Sequence, residues 1–478
     1  MTDLSLRVGG NLYNAQKWNF GPQIGFAWSP EAQQGKFVVR GGFGINYNQN
    51  EIAITANGIN NPPNVVGVSF CCSTFGNPDP DVFYRTASNP QSIFGFPPNP
   101  AAKSAFGPNN LPLSGGPIAV TGFPSHPSTI YTYHYSFDTQ YDIGFNWVFS
   151  LGYQGSTGRH LLNQNDQNAL GAAAGISLNP AVNSVDFYQN TGNSNYNALI
   201  AGLKHQFSRS FLLDTQYTWA KSMDNGSQPY YQDPYPFDPR ASWGRSDYNV
   251  ANAFKIYGLW QPVLFHGNNA WLEKVAGGWS LSGIYNLHSG FPWTPLYSNT
   301  GGNIYFEGSG NHGYGTLRAA AYKGGAGSNT SNDVFRSGPR PSSTTAFNQN
   351  FSKGALAYFT VPTFTPAPAF PGTGPAPEPA LVARNSFNSP GYNDLDVTLA
   401  KAFGLPHIPG LGEGARVEVR ADVFNFFNKI NLEGGGQDNG GSINNIISSD
   451  GVNSNPAFGQ AQKALGSRTV QIQARFSF

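Results

Sequence analysis

The last eleven residues, RTVQIQARFSF (468–478), carry the pattern that decides the fold class. Apolar and polar side chains alternate strictly there, and the apolar parity consists of Val470, Ile472, Ala474, Phe476 and Phe478. Successive side chains of a β-strand point to opposite faces, so the segment predicts a strand with one apolar and one polar face. Its length suits a tilted strand that crosses a bilayer in roughly 9–11 residues. A soluble β-sandwich can use the same alternation, and the rest of the chain has to distinguish the two.

The period of two recurs along the whole chain. Examples are the stretches 37–47, 145–153, 211–219 and 417–423, in which large apolar residues alternate with small or polar ones. Such repetition predicts an antiparallel β architecture. We expect about twelve strands of this kind, with approximate spans 3–13, 17–28, 36–47, 131–141, 146–156, 195–207, 211–221, 250–261, 276–289, 391–403, 415–427 and 467–478.

The connections between these strands favour a membrane barrel. After the first hairpin, short or medium connections alternate with long ones that are rich in Gly, Asn, Ser and Pro, at about 48–130, 157–194, 222–249, 290–390 and 428–466. Outer-membrane barrels have short periplasmic turns and long extracellular loops, whereas a sandwich gives no reason for loop length to follow strand order. The sequence therefore predicts an all-β, antiparallel up-and-down transmembrane β-barrel, with residues 1–478 forming one barrel domain.

The low content of charged residues and the near-zero net charge limit the classes of function that the chain can have. Charged residues make up only 11% of the chain and aromatic residues 14%, against about 25% charged residues in typical soluble domains. The net charge of +1 gives no basic footprint for nucleic acid. No apolar run approaches the length of a transmembrane helix, and MTDLSLRVGG (1–10) does not have the pattern of a signal peptide. We expect a cytosolic protein or the C-terminal part of a longer one.

The adjacent Cys71 and Cys72 are interpreted as an incidental loop pair rather than a strained disulfide.

Tryptophans lie near the predicted strand ends. Amphipathic rings favour the headgroup level of a bilayer, so two aromatic girdles are expected. The girdle at the short-turn ends comprises Trp28, Trp147, Trp260 and Trp279, and the girdle at the opposite ends comprises Trp18, Trp219 and Trp293.

Charged residues on the polar parity are the candidate functional residues. A charge on the lipid face costs about 2–4 kcal/mol near the midplane, so these side chains are expected to face the lumen. They are Arg40, Glu418, Arg420, Asp422 and Arg475. The favoured interpretation is that they pair with each other, and direct contact with substrate is the alternative.

The sequence carries no constellation of an enzyme. GSGNHG (308–313) matches a dinucleotide-binding spacing but has no predicted strand before it or helix after it. There is no zinc-ligand spacing and no nucleophile elbow. The acidic loop stretches 77–83 and 224–240 do not have the spacing of an EF-hand. We predict no catalytic residue, no metal site and no cofactor.

Several segments resemble the barrel of TonB-dependent outer-membrane receptors, and the Oar-like subfamily most of all. Among the matching stretches are NFGPQIGFAWSP (19–30), VVRGGFGINYNQ (38–49), GGWSLSGIYNLHSGFPWTP (277–295) and RVEVRADVFNFFNKINL (416–432). The ending resembles the family's C-terminal assembly signal, with Phe476 and Phe478 as the residues that the barrel-assembly machinery reads. The resemblance spans nearly the whole chain in order.

This resemblance implies a location in the outer membrane of a Gram-negative cell and transport or binding of a large substrate, which would be a glycan, peptide or chelate. It implies contact with outer-membrane lipid, and with TonB only through a missing N-terminal region. The chain lacks counterparts of the signal peptide, TonB-contact motif and plug, and of about half of the roughly 22 strands of such receptors. It therefore resembles the C-terminal part of their barrel. Two alternatives stay open: a passive porin-like or surface-binding barrel complete in about twelve strands, and a secreted all-β adhesin.

Overall fold

A computed structural model describes most of the predicted strands and parts of the loops. The described residues are 14, 16–49, 58, 61, 118–166, 182–208, 210–227, 242–263, 272, 276–298, 316–318, 321–322, 359–360, 382–405, 415–435, 444–448, 455, 458 and 463–477. No helix in these ranges combines the length and apolar character that would let it cross a membrane.

The described ranges are dominated by strands. The first ten are β1 (Gln23–Trp28), β2 (Phe37–Asn48), β3 (Ile118–Gly122), β4 (Ile130–Gly144), β5 (Trp147–Asp166), β6 (Val182–Ser208), β7 (Phe211–Asp224), β8 (Gly244–Arg245), β9 (Asn252–Trp260) and β10 (Trp279–His288). The others are β11 (Pro292–Trp293), β12 (Leu296–Ser298), β13 (Thr316–Arg318), β14 (Ala321–Tyr322), β15 (Phe359–Thr360), β16 (Phe387–Asn388), β17 (Tyr392–Gly404), β18 (Arg416–Phe424), β19 (Ile446–Ser448) and β20 (Thr469–Ser477). A short 3-10 helix covers Glu31–Gln33 in the first turn.

Eleven of the strands form one path in which chain order is also spatial order. The path runs β1-β2-β4-β5-β6-β7-β9-β10-β17-β18-β20, and every neighbouring pair along it is antiparallel. The short β3 adds in parallel to β6, and β8 adds to the end of β7. This confirms the predicted all-β, up-and-down architecture. The predicted strand 3–13 lies outside the described residues.

Two strands extend well beyond the alternating pattern. β5 continues to Asp166 and β6 begins at Val182, so both reach into the connection expected at about 157–194. Their outer portions still pair with each other, for example Gln164 with Tyr188, although the register shifts near Leu161. The sheet therefore projects past the region where one face is apolar.

The described sheet is open. Among the described residues, β1 pairs with β2 and β20 pairs with β18, and the two outer strands do not pair with each other. Backbone groups at a free strand edge are costly in lipid, because no water satisfies them there. The described strands alone therefore do not form a closed wall.

The two faces of the sheet differ in chemistry, and we call them the apolar face and the polar face. Large apolar side chains on the apolar face are exposed, with Ile24 at 72%, Trp219 at 61% and Ile472 at 76% of full exposure. A water-soluble monomer seldom exposes a contiguous apolar surface of this extent. On the other parity, each strand of the path places mostly small, polar or charged side chains, and this set forms the polar face.

Glycines on the apolar face receive the rings of neighbouring strands. A Cβ at Gly41 would lie 2.4 Å from the ring of Phe26, and a Cβ at Gly155 would lie 2.4 Å from the ring of Tyr135. In both cases the partner is a direct cross-strand neighbour. An aromatic ring over a glycine fixes the register of two strands and fills the space that glycine leaves.

Candidate functional site

The long-loop end of the sheet carries an assembly of loop segments that we call the loop platform, made of residues 242–250, 289–298, 382–391, 428–435, 444–448, 455 and 458. Its apolar centre is Trp293, which is fully buried between Phe387 and Phe458, with ring centroids 5.3 Å and 5.8 Å away. Both partners are also fully buried. Burial of three large rings stabilises the packing of segments that are far apart in sequence.

A buried ion cluster joins the loop platform to the end of β7. Arg384 is 6% exposed, and its guanidinium lies 2.6 Å from the carboxylate of Asp224 and 3.1 Å from that of Asp247. It also donates to the carbonyl oxygen of Asp224 and to the Ser227 hydroxyl, at 2.9 Å and 2.7 Å. Because buried charges are tolerated only when paired and hydrogen-bonded, this arginine fixes three segments relative to each other.

A second arginine of the platform binds backbone oxygens. Arg245 donates from Nε to the carbonyl oxygen of Asn385 at 2.6 Å and from Nη2 to that of Phe387 at 3.2 Å, and a third bond reaches the side chain of Asn388. Burial lowers the pKa of the Arg245 guanidinium to about 10, so the group stays charged at neutral pH. In return, Asn385 donates to the carbonyl oxygen of Arg245 at 2.7 Å.

The predicted lumen-facing charges all lie on the polar face. Arg420 donates to Asp422 over 2.8 Å, and the Thr398 hydroxyl donates to the same carboxylate over 2.5 Å. Glu418 and Arg475 are direct cross-strand partners in β18 and β20. The fold thus brings four of the five predicted residues together at one side of the sheet.

Arg40, the fifth predicted residue, lies far from the other four along the strand order. It is in β2, and its cross-strand partner in β4 is Asp138, which also lies on the polar face. The predicted residues therefore do not form a single site.

The polar face also contains an open groove of about 650 Å³ across β1 to β6. We call it the neutral groove, and its lining residues on the polar parity are Gln23, Gly25, Gly42, Gly44, Asn46, His134, Ser136, Gln154, Ser156 and Tyr196. None of them is an aspartate, glutamate, lysine or arginine. A second cavity of about 290 Å³ shares Tyr196 and continues toward Thr218, Tyr248 and Lys255.

The neutral groove was not predicted, because its parts are ordinary in sequence. Its floor follows one row of cross-strand partners, Gln23, Gly44, His134, Ser156 and Tyr196, and the row continues to Ser222 in the second cavity. The next row contains Gly25, Gly42, Ser136, Gln154, Ala198 and Ala220. Only the register makes them neighbours, and alternation alone does not fix register between strands. The sequence offered one signal of the groove, which is the number of glycines on the polar parity of adjacent predicted strands.

The tryptophans of the short-turn girdle lie where the pattern placed them along their strands. Trp28 ends β1, Trp147 begins β5, Trp260 ends β9 and Trp279 begins β10. Trp219 lies toward the other end of β7 on the apolar face, with its ring 61% exposed. Trp293 is different: the expectation that it belongs to the second girdle is wrong, because it is fully buried in the loop platform.

Several residues singled out in the sequence lie outside the described residues. These are Phe478, Cys71, Cys72 and the stretches 77–83 and 308–313. Within the described ranges, no three His, Cys, Asp or Glu side chains converge on a place where a metal ion would be held.

A two-faced sheet of this topology, with an exposed apolar face and a folded assembly at its long-loop end, defines a β-barrel wall of the outer membrane. A family profile described as outer membrane beta barrel domain matches residues 4–471. The chain belongs to this family, and it is a protein of the outer membrane. A search of curated proteins found no match.

Solved structures to which the chain is similar include an outer membrane transporter and siderophore receptors. The outer membrane transporter YddB from Escherichia coli is 8% identical, with 95% of this chain and 40% of that one covered and a TM-score of 0.46. The ferripyoverdine receptor of Pseudomonas aeruginosa is 8% identical, with 96% and 33% covered and a TM-score of 0.39. The siderophore receptor PirA from Acinetobacter baumannii is 8% identical, with 95% and 40% covered and a TM-score of 0.38. The chain thus spans two fifths or less of their lengths.

Proposed function

We propose that this chain forms the C-terminal barrel portion of a TonB-dependent, Oar-like transporter, which binds a large substrate at the cell surface and moves it across the outer membrane. The carrying observation is the eleven-strand path, because its apolar face suits lipid and its polar face suits an aqueous interior. The proposed domain comprises residues 1–478. No catalysis is assigned to it.

The loop platform supports a receptor role. Recognition in barrels is carried by loops that a rigid scaffold positions. Here, the fully buried Trp293 and the Arg384 ion cluster hold loop segments in a defined arrangement over the long-loop end. A passive pore needs no such assembly, since diffusion requires only an open path. Among the described strands, β1 and β20 do not pair with each other, and additional strands, of which the expected strand 3–13 is one, would be needed to satisfy both edges in lipid.

The orientation part of the proposal has a direct test in cells. An epitope tag inserted in the long connection near residue 305 and a matched tag inserted at Gln33, in the first short turn, would be expressed separately in a Gram-negative host. We expect antibody to label intact cells that carry the first tag, and to label the second only after the outer membrane is permeabilised. Labelling of both tags on intact cells, or of neither, contradicts the proposed barrel orientation.

The transport part is tested by conductance and by gel mobility. The refolded chain would be added to planar bilayers, and its mobility on gels would be compared before and after heating in detergent. A stable ohmic pore from the chain alone would favour the passive porin-like alternative. A protein that stays in the aqueous phase of a detergent partition would instead favour a secreted adhesin. We expect a detergent-phase protein without a large steady conductance.

A further inference from the structure

The neutral groove has a form that suits an extended ligand. Its first row of cross-strand partners runs from Gln23 in β1 to Tyr196 in β6. Neighbouring strands lie 4.7–4.9 Å apart, so the four intervals of this row span roughly 19 Å. The second cavity continues past Tyr196 toward Tyr248. A chain of several linked rings fits such a length, whereas a compact ligand would leave most of it empty.

The protein's own packing does not require a glycine at position 42 in the floor of the groove. At Gly42, an added Cβ would meet its nearest atoms, the Ile24 carbonyl oxygen and the Ser136 hydroxyl, at an ordinary 3.7 Å. This glycine therefore avoids no clash within the protein, unlike Gly41, whose Cβ would strike a ring at 2.4 Å. The space above Gly42 is available to a bound molecule.

The walls of the groove offer unused hydrogen-bonding groups. His134, Ser136, Gln154 and Ser156 carry side chains that make no hydrogen bond to another described residue, and Tyr196 likewise keeps its hydroxyl available. Gln23 donates to Asn46 at 3.1 Å and retains its own amide oxygen. Amides, hydroxyls and a neutral imidazole can each both donate and accept hydrogen bonds, which matches a ligand made of hydroxyl groups.

The distribution of charge decides between ligand classes. An anionic chelate or a phosphorylated ligand is usually held by arginine or lysine, and the neutral groove contains neither. Arg40 and Asp138 on the polar face are cross-strand partners one row away from the groove. Lys255 lines the second cavity beyond Tyr196 and is not among the residues that line the neutral groove. Arg420 and Asp422 pair with each other on the far side of the sheet. An ionic ligand would find no counter-charge in the groove.

We propose that the neutral groove binds a segment of an uncharged oligosaccharide, with Tyr196 as a stacking surface and Gln154, His134 and Ser156 as hydrogen-bonding partners. The proposal rests on the proposed function in one respect, because it makes the polar face the path that a substrate contacts. It goes further by naming the class of that substrate and the residues that hold it.

The test is a binding titration of the refolded full chain in detergent micelles. The probes are maltohexaose and cellohexaose as neutral hexasaccharides, a heparin-derived hexasaccharide as the anionic one, and an uncharged hexapeptide. We expect saturable binding of at least one neutral hexasaccharide, and at least tenfold weaker binding of the anionic sugar and of the peptide. Preference for the anionic sugar or the peptide, or no binding of either neutral sugar, overturns the proposal.

Two variants locate the site and one controls for folding. Gly42→Leu fills the groove, and Gln154→Ala removes an amide; we expect losses of at least tenfold for the first and of about threefold to tenfold for the second. Gly404→Leu is the matched control, because this glycine lies on the same face with no atom within 4 Å of its Cβ position. It should bind like the unaltered protein. All variants must keep the gel mobility of the folded form, and equal affinity of Gly42→Leu and the unaltered protein overturns the assignment.

Failure of this proposal and failure of the proposed function are distinguishable. A chain that labels in the expected orientation but binds no neutral hexasaccharide remains a receptor barrel with a different substrate. A chain that binds the sugar through Gly42 and Gln154 but conducts steadily in bilayers is a sugar-binding pore. The first result rejects only the groove assignment, and the second rejects only the transport mechanism.

Discussion

Replacing Arg384 with alanine tests whether the loop platform is a fixed structure. Asp224 is 1% exposed, and among the described residues the substitution leaves its carboxylate with the Ser227 hydroxyl, at 2.8 Å and 3.0 Å, as its one side-chain partner. Asp247 keeps the amide of Asn385 at 2.7 Å. Removing one partner of a buried ion pair typically costs about 3–5 kcal/mol, because the other charge remains buried and unpaired. We expect Arg384→Ala to destabilise the platform by an amount in this range.

Hydrogen exchange in detergent micelles measures this effect locally. A loss of 3 kcal/mol or more raises the opening equilibrium by about a hundredfold or more, so amides of residues 242–250 and 382–391 should exchange faster by that factor. The strands on the far side of the sheet, such as β2, should keep their protection, because local opening does not require global unfolding. The measurement assumes that closing is fast relative to exchange, which its pH dependence checks.

Two controls separate the ion cluster from a general loss of charge. Lys204→Ala removes the partner of Asp214 in a pair whose atoms are 3.9 Å apart and whose side chains are 49% and 27% exposed. Such exposed pairs contribute about 0–1 kcal/mol. The double variant Arg384→Met with Asp224→Asn removes the stranded charge and should recover part of the protection. If Arg384→Ala exchanges like Lys204→Ala, the reasoning about the platform is refuted.

Three further substitutions test the core of the platform and the two faces of the sheet. Trp293→Ala empties a fully buried position and should cost about 3–5 kcal/mol, seen as faster exchange of the same loop amides. Ile472→Arg places a charge on the apolar face and should lower the free energy of unfolding in lipid vesicles by about 2–4 kcal/mol. Gln471→Arg lies on the polar face opposite Asp422 and should change it by less than 1 kcal/mol; equal effects in urea titrations would contradict the assignment of the faces. Gly244→Ala brings a Cβ to 2.6 Å from the carbonyl oxygen of Arg384 and should cost about 1–3 kcal/mol by overpacking, with a normal thermal midpoint as the contrary result.

The strands were predictable because a period of two is a local property. The spans expected at 36–47 and 467–478 correspond to Phe37–Asn48 and Thr469–Ser477 in the structure. The alternating pattern did not predict the parts of strands that extend beyond the region where one face is apolar. Residues 182–194 are rich in Asn and Ser and were expected to lie in a loop, yet they form the outer part of β6. The apolar residues of this part, such as Val185, Phe187 and Tyr188, do not alternate with polar ones, so a period of two does not distinguish it from a loop.

The loop platform could not be predicted from the sequence, because its contacts join residues that are far apart along the chain. Arg384 and Asp224 are separated by 160 residues, and both lie in stretches that composition marks only as polar connections. Trp293 has the same difficulty, because its burial depends on Phe387 and Phe458 in other segments. A tryptophan near a strand end fits a girdle and a loop core equally well until those partners are known.

The predicted charges and the neutral groove divide the polar face by their remaining capacity to bind. Arg420 and Asp422 hold each other, with Thr398 as a further partner. A ligand that displaced these bonds would have to replace charge-assisted contacts of about 1.5–3 kcal/mol each. The unbonded side chains of Gln154 and Ser156 impose no such cost, since a ligand there replaces only water. Because Arg420 and Asp422 are already paired, we infer that these charges on β18 stabilise the barrel wall. Binding energy is available instead where the polar face is neutral.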